Sequence, residues 1–188
     1  ASAKGFALMD RGMRAGNWLR TDAVQLTGKT LGLIGFGGIA AEMARLAVGA
    51  GMEVLAWNRT PKVHPWVKFV ELDDLLARSR VISLHLLLND ETRGFISRER
   101  IAKMQDGVIV INTARGAVID ETALLEGLKS GKVGHAGLDV FDVEPLPKGH
   151  AFTKVENVTL SAHSAFRTPE ASDNLIEASL NHCRRISG

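Results

Sequence analysis

The sequence predicts an α/β fold, a doubly wound parallel sheet with helices on both faces. Three observations carry this. Short apolar segments alternate with segments of helical spacing along almost the whole chain. The joints between them are short, as in strand–helix–strand units. One joint is glycine-rich, GFGGIA at residues 35–40, and sits between a strand and a helix.

The elements follow in order. Residues 1–20 read as a helix with an apolar side, ending at an exposed Trp18. With little around it to pack on, this stretch is expected to be an arm that covers a partner. Thr30–Gly35 is an apolar strand. Ile39–Val48 has helical spacing through Ile39, Met43, Leu46 and Ala47, and stops at Gly49 and Gly51. Met52–Trp57 is a second strand, Glu71–Ser79 a short helix, Val81–Leu84 a third strand. Ser97–Met104 is a helix and Val108–Thr113 a strand. Asp120 caps a helix that runs to Ser130 and ends at Gly131. His135–Val140 and Val158–Ser161 are further strands. Thr168-Pro169-Glu170 opens the last helix, with proline in its first turn. Residues 21–188 form one domain behind the arm.

Composition narrows the function classes. The 188 residues fit one domain on a prior of roughly 100–200 residues each. A hydrophobic fraction of 45% and a charged fraction of 23% suit a soluble globular chain. The net charge is +2 with no long Lys/Arg block, so neither nucleic acid nor a membrane surface is an expected partner. The one cysteine, Cys183, excludes an internal disulfide and offers no metal-ligand cluster. A reducing, cytoplasmic setting is expected. The chain starts at Ala1, and a piece of a longer protein is expected.

The glycine turn carries the first functional signal. GFGGIA is G-x-G-x-x-A. Gly35 allows the tight turn, Gly37 lets backbone approach a pyrophosphate, and the small Ala40 lets the helix pack closely on the sheet. The helix N-terminus then offers N–H groups and a positive dipole end to phosphates. A Rossmann-like dinucleotide site is expected. Many NAD sites place an acidic residue about 20 positions further on to accept the ribose hydroxyls. Here the second strand ends AWNRTP, with Asn58 and Arg59 in that place and no carboxylate. An arginine there suits a 2′-phosphate. NADP(H) is therefore favoured, with NAD(H) possible through a permissive site and a solvated Arg59.

Three further stretches sit where strands end: INTARGAVID at 111–120 with Arg115, GLDVFDVEPLP at 137–147 with Asp139 and Glu144, and SAHSAFRTPE at 161–170 with His163. In an open parallel sheet, ligands collect beyond the carboxyl ends of the strands. Arginine grips a carboxylate through two parallel hydrogen bonds. Histidine exchanges a proton near neutral pH. A nearby glutamate orients the imidazole and favours its charged form. Asp142 competes with Glu144 for that task. His64, His85, His135, His150 and His182 have no comparable partner in sequence and are expected to be structural or exposed.

On GFGGIA, HLLLNDETRGFI (85–96), INTARGAVID, GLDVFDVEPLP and AHSAFRTPEA, the chain resembles the nucleotide-binding domain of the D-isomer-specific 2-hydroxyacid dehydrogenases. The Asn-Arg pair after the second strand is closest to the glyoxylate and hydroxypyruvate reductases. The resemblance implies roles. Arg115 binds the carboxylate and carbonyl oxygen of a 2-keto or 2-hydroxy acid. His163 is the general acid in reduction and the base in reverse. Glu144, favoured over Asp142 by the family spacing, holds the His163 ring. Asp139 holds the nicotinamide carboxamide, helped by backbone at Thr113 and Ala114. Gly37, Gly38 and Ile39 surround the pyrophosphate. Thr60, Leu86, Leu87, Thr92 and Ser164 complete the expected cofactor contacts, and no metal is expected.

The sequence departs from the family in two places. Leu87 stands where many members have proline. The family has a substrate lobe of about a hundred residues before this domain, and it is not expected within these 188 residues. Its closure excludes water and orients substrate, so this chain alone is expected to bind cofactor and turn over little. The resemblance also implies a homodimer, with residues 1–20 reaching across. An alternative of another class stays open: related chains act as NAD(H)-sensing co-repressors, binding modules rather than enzymes. A catalytically idle subunit is a third.

Overall fold

The computed structural model describes residues 1–60 and 62–187, so Gly188 of the expected domain lies outside the described residues. Seven strands form one sheet: β1 (Thr30–Ile34), β2 (Glu53–Trp57), β3 (Lys68–Phe69), β4 (Val81–Leu84), β5 (Val108–Asn112), β6 (Val133–Leu138) and β7 (Val158–Leu160). Their order is β3-β2-β1-β4-β5-β6-β7, and every pair is parallel. The chain leaves β1 in one direction and returns to its other side at β4, so the switch point lies between them. The helices are α1 (Phe6–Arg14), α2 (Gly38–Gly49), α3 (Leu72–Arg78), α4 (Arg98–Lys103), α5 (Glu121–Ser130) and α6 (Pro169–Ser187). The expected doubly wound sheet is what forms.

Strand parity builds two cores. On β1 and β2, Leu31, Leu33, Val54 and Ala56 point to one face, where Ala40, Ala44 and Ala47 of α2 pack. Ile34 and Leu55 point to the other, with Leu75, Leu76 and Leu124. Successive strand side chains alternate between faces, and parallel strands covered on both sides read as continuous apolar runs. Each fully buried leucine or isoleucine contributes about 1.5–3 kcal/mol relative to exposure.

Local signals hold where they were read. The Asp120 carboxylate accepts the Ala123 N–H at 3.0 Å, and Gly131 ends α5 at φ +81°. Thr168 Oγ1 accepts the Ala171 N–H at 3.0 Å. One strand was not foreseen. β3 is two residues long and extends the sheet beyond β2 through Leu55–Lys68 and Ala56–Phe69, too short for any periodicity.

The helix expected across residues 1–20 is shorter. The helix stops at Arg14, and residues Ser2–Lys4 form a separate 3-10 turn. That turn packs on its own domain. Ser2 Oγ lies 2.7 Å from where a Cβ on Gly137 of β6 would sit, and the Val24 N–H donates to the Ala3 carbonyl at 2.8 Å. Phe6, Met13 and Trp18 remain exposed.

Candidate functional site

All functional loops leave the same edge of the sheet. The glycine turn follows β1, the Asn58-Arg59 loop β2, the His85–Thr92 loop β4, Arg115 β5, Asp139 β6 and His163 β7. Parallel strands force this, because each one ends on the same side.

Gly35 turns the chain at φ +86°, and a Cβ there would lie 2.6 Å from the His85 carbonyl oxygen. Only glycine fits. Gly37 and Gly38 face open space, with nothing within 4 Å of an added Cβ. A side chain would occupy this space, whereas bare backbone leaves it to a pyrophosphate. No side chain caps the start of α2, so its N–H groups are free to meet an anion. Ala40 is fully buried at the helix–sheet contact. Ile39 is exposed in the same first turn. The described residues therefore fit a dinucleotide.

A groove of about 320 Å³ runs from this turn and gathers Gly35, Gly37, Asn58, Arg59, Thr60, Leu86, Leu87 and Thr92. Within it, two predicted residues also shape its walls. Asn58 Oδ1 accepts the Phe36 N–H at 3.0 Å, and its Nδ2 donates to the Thr60 carbonyl at 2.7 Å. Thr92 Oγ1 donates to the Leu87 carbonyl at 2.6 Å and accepts the Asn89 N–H at 2.8 Å, pinning the loop after β4. No carboxylate follows β2, but one reaches the groove from the loop after β4. Glu91 lines the groove, and its Oε2 meets Arg59 Nη1 at 2.9 Å. The two are 32 residues apart in sequence. They meet because β2 and β4 flank β1 on either side, which sets their following loops face to face. Lys62 adds a second cation, donating to the Phe36 carbonyl at 2.6 Å.

The catalytic candidates lie further along the edge. Asn112, buried at the end of β5, donates to the Arg115 carbonyl at 2.9 Å and accepts the Ala114 N–H at 3.0 Å. It folds Thr113–Arg115 into a tight loop. Gly116 then packs against the backbone of Phe141 and Asp142, which draws the Arg115 loop toward Glu144. The Arg115 side chain is exposed, with Nη1 on the Ala114 carbonyl at 2.6 Å.

Glu144 is the partner of His163, and Asp142 is not. Glu144 Oε2 lies 2.7 Å from His163 Nδ1, while Oε1 accepts the Phe141 N–H at 2.9 Å. The His163 hydrogen bond above all, then the Phe141 N–H and the charges of His163 and Arg115, hold the Glu144 carboxyl below the usual carboxylate range. His163 and Glu144 line a concavity of about 610 Å³ with Phe141, Pro145, Leu146 and Leu160.

His163 stands in left-handed backbone at φ +48°, among non-glycine residues the one such case described. Asp139 holds it there. The Asp139 carbonyl accepts the His163 N–H at 2.7 Å. Its carboxylate accepts Ser161 Oγ at 2.5 Å, the Ser164 N–H at 2.9 Å and the Ala165 N–H at 2.8 Å. Burial pushes the Asp139 carboxyl up, but these hydrogen bonds outweigh it, and the group sits below its ordinary range. Asp139 and Ser164 thus organise the loop that presents His163. Such strained conformations persist where surrounding contacts over-determine them.

Of the other histidines, His135 pairs with Thr159 Oγ1 at 2.9 Å and is structural. His85, beside Ser83 Oγ at 3.0 Å, also lines the groove, and burial pushes its imidazole pKa down. His150 corrects the expectation of no acidic partner: Glu121 Oε1 lies 3.0 Å from its Nε2. The 3-10 turn at Ala151–Lys154 seats it against the start of α5.

The lowered carboxyl of Glu144 gives a pH prediction. Its folded pKa lies below the unfolded value, about 4.3, so the stability it contributes is present above that value. It is lost as pH falls through the lower folded pKa. Thermal midpoints of the wild type and Glu144→Gln, measured from pH 7 down to pH 3, should converge toward the acid end. A constant difference across that range would contradict the charged pairing.

Fold and site together define a class, a Rossmann domain with a dinucleotide groove and an Arg–Glu–His set at one sheet edge. Residues 1–165 match the NAD binding domain of the D-isomer specific 2-hydroxyacid dehydrogenases, and the chain belongs to that family. It is 45% identical over 177 residues to the hydroxypyruvate reductase of Thermotoga maritima, covering 91% of this chain and 58% of that one. It matches the crystal structure of a glyoxylate reductase from Paecilomyes thermophila with a TM-score of 0.91 at 40% identity, covering 97% and 57%. A D-isomer specific 2-hydroxyacid dehydrogenase from Xanthobacter autotrophicus Py2, solved with NADPH and MES, matches at TM-score 0.77 and 36% identity, covering 86% and 52%. The chain therefore spans less than two thirds of each relative. No helix among the described residues is long and apolar enough to cross a membrane.

Proposed function

We propose that the chain is the cofactor domain of an NADP(H)-preferring reductase of 2-keto acids, such as glyoxylate or hydroxypyruvate, giving D-2-hydroxy acids. The observation that carries the reading is the 2.7 Å His163–Glu144 pair at the sheet edge that also bears Arg115 and the glycine turn. When bound, the nicotinamide supplies the hydride that reduces the keto carbon. Arg115 grips the substrate carboxylate with paired hydrogen bonds. Glu144 engages Nδ1 of His163, which leaves Nε2 to donate its proton to the carbonyl oxygen. In the reverse direction Nε2 takes that proton back. Asp139 keeps the His163 loop in place. A second lobe outside these residues would cover the edge, exclude water and complete substrate binding. A homodimer contacting through the exposed arm, in a cytoplasmic setting, belongs to the same reading.

Parallel fluorescence titrations of the chain with NADPH and NADH test the cofactor choice. Tighter NADPH binding is expected. Arg59→Asp should weaken NADPH by about tenfold or more, the loss of a charge-assisted contact, and should not weaken NADH, whose ribose hydroxyls a carboxylate there accepts. An unaltered ratio in that variant returns Arg59 to the solvated surface.

A further inference from the structure

We propose that Glu91 is a specificity-determining residue, a built-in competitor of the cofactor's 2′-phosphate for Arg59. The inference rests on the reading of Arg59 as the phosphate partner and deepens it. Arg59 and Glu91 line one groove with the glycine turn, and their charged atoms meet at 2.9 Å. A phosphate on Arg59 therefore has to take the place of the Glu91 carboxylate or share the cation with it. The Glu91 backbone cannot withdraw far, because Thr92 beside it ties the loop to Leu87 and Asn89. Both side chains are largely exposed, 79% and 73%, so the pair is weak. A dianionic phosphate can displace it, at the cost of leaving Glu91 a near neighbour of like charge. With an unphosphorylated ribose the pair stays intact and costs nothing. Glu91 thus weakens the phosphorylated cofactor selectively and keeps the site open to both.

The probes are adenosine 2′,5′-bisphosphate and 5′-AMP, titrated calorimetrically into the wild type, Glu91→Gln, Arg59→Gln and the double variant. Glu91→Gln is isosteric and exposed, so folding is preserved. It should tighten the bisphosphate about fivefold, the scale of an exposed charge pair, and leave 5′-AMP unchanged. The gain should vanish in the Arg59→Gln background. Equal gains for both probes, no gain, or a gain that survives without Arg59 each overturn the proposal. The reading beneath it fails separately. If Arg59→Gln weakens the bisphosphate but Glu91→Gln changes nothing, the phosphate site stands and the competitor role falls. If Glu91→Gln tightens the bisphosphate while the wild type still prefers 5′-AMP, the competitor role stands and the NADP(H) preference falls.

Discussion

Under the proposed function, replacing His163 with alanine is expected to lower 2-keto acid reduction by about 10²- to 10⁴-fold, the usual contribution of a positioned general acid. Cofactor affinity should be unchanged, because the dinucleotide groove is built from the loops after β1, β2 and β4. The size of the effect follows from how much of the molecule fixes this one ring. Glu144 holds Nδ1, the Asp139 carbonyl holds the backbone N–H, and the Asp139 carboxylate holds the loop on both sides. His85, His135 and His150 do not substitute, since their partners tie them elsewhere. The measurement is kcat with glyoxylate and hydroxypyruvate in the protein that carries the proposed second lobe, beside an NADPH titration. Turnover near the wild-type rate would remove His163 from the chemistry.

Gly116→Ala is expected to destabilise the domain by about 3 kcal/mol, the scale of severe overpacking. That lowers the thermal midpoint by about 6–12 °C for a chain of this size. The added Cβ would lie 2.0 Å from the Phe141 carbonyl carbon and 2.3 Å from the Asp142 nitrogen. Both are backbone atoms with no rotamer to escape into, so the loops after β5 and β6 must part. Parting them moves Arg115 away from Glu144 and His163, and substrate binding should fall with stability. Gly38→Ala is the contrasting control. Its Cβ meets nothing within 4 Å, so stability should hold while cofactor affinity drops. If Gly116→Ala melts like the wild type, the close approach of the two loops is wrong.

The legible part of the fold was the local part. Apolar runs marked six of the seven strands, and Asp120, Gly131 and Pro169 marked helix ends, because these signals act within a turn or a few residues. Gly35 was legible for the same reason: a strand running straight into G-x-G needs a turn that only glycine makes. The turn at Ser2–Lys4 was not legible, because nothing in residues 1–20 shows that Ser2 and Ala3 will find β6 and Val24.

The site divides in the same way. Arg115, Glu144 and His163 could be named from residue type, strand ends and family spacing. Their organisers could not. Asn112 reads as the polar end of an apolar strand, and Asp139 as a cofactor contact; that each also ties a loop together shows only in the structure. The left-handed backbone of His163 has no signature in SAHSA, since the residues that enforce it come from β6. By itself the sequence determined the doubly wound fold, the glycine turn and the pairing of Glu144 with His163. Only the tertiary structure decided which charges face one another, Glu91 on Arg59 and Glu121 on His150. Periodicity and caps are short-range, whereas these pairs form between loops that strand order alone brings together.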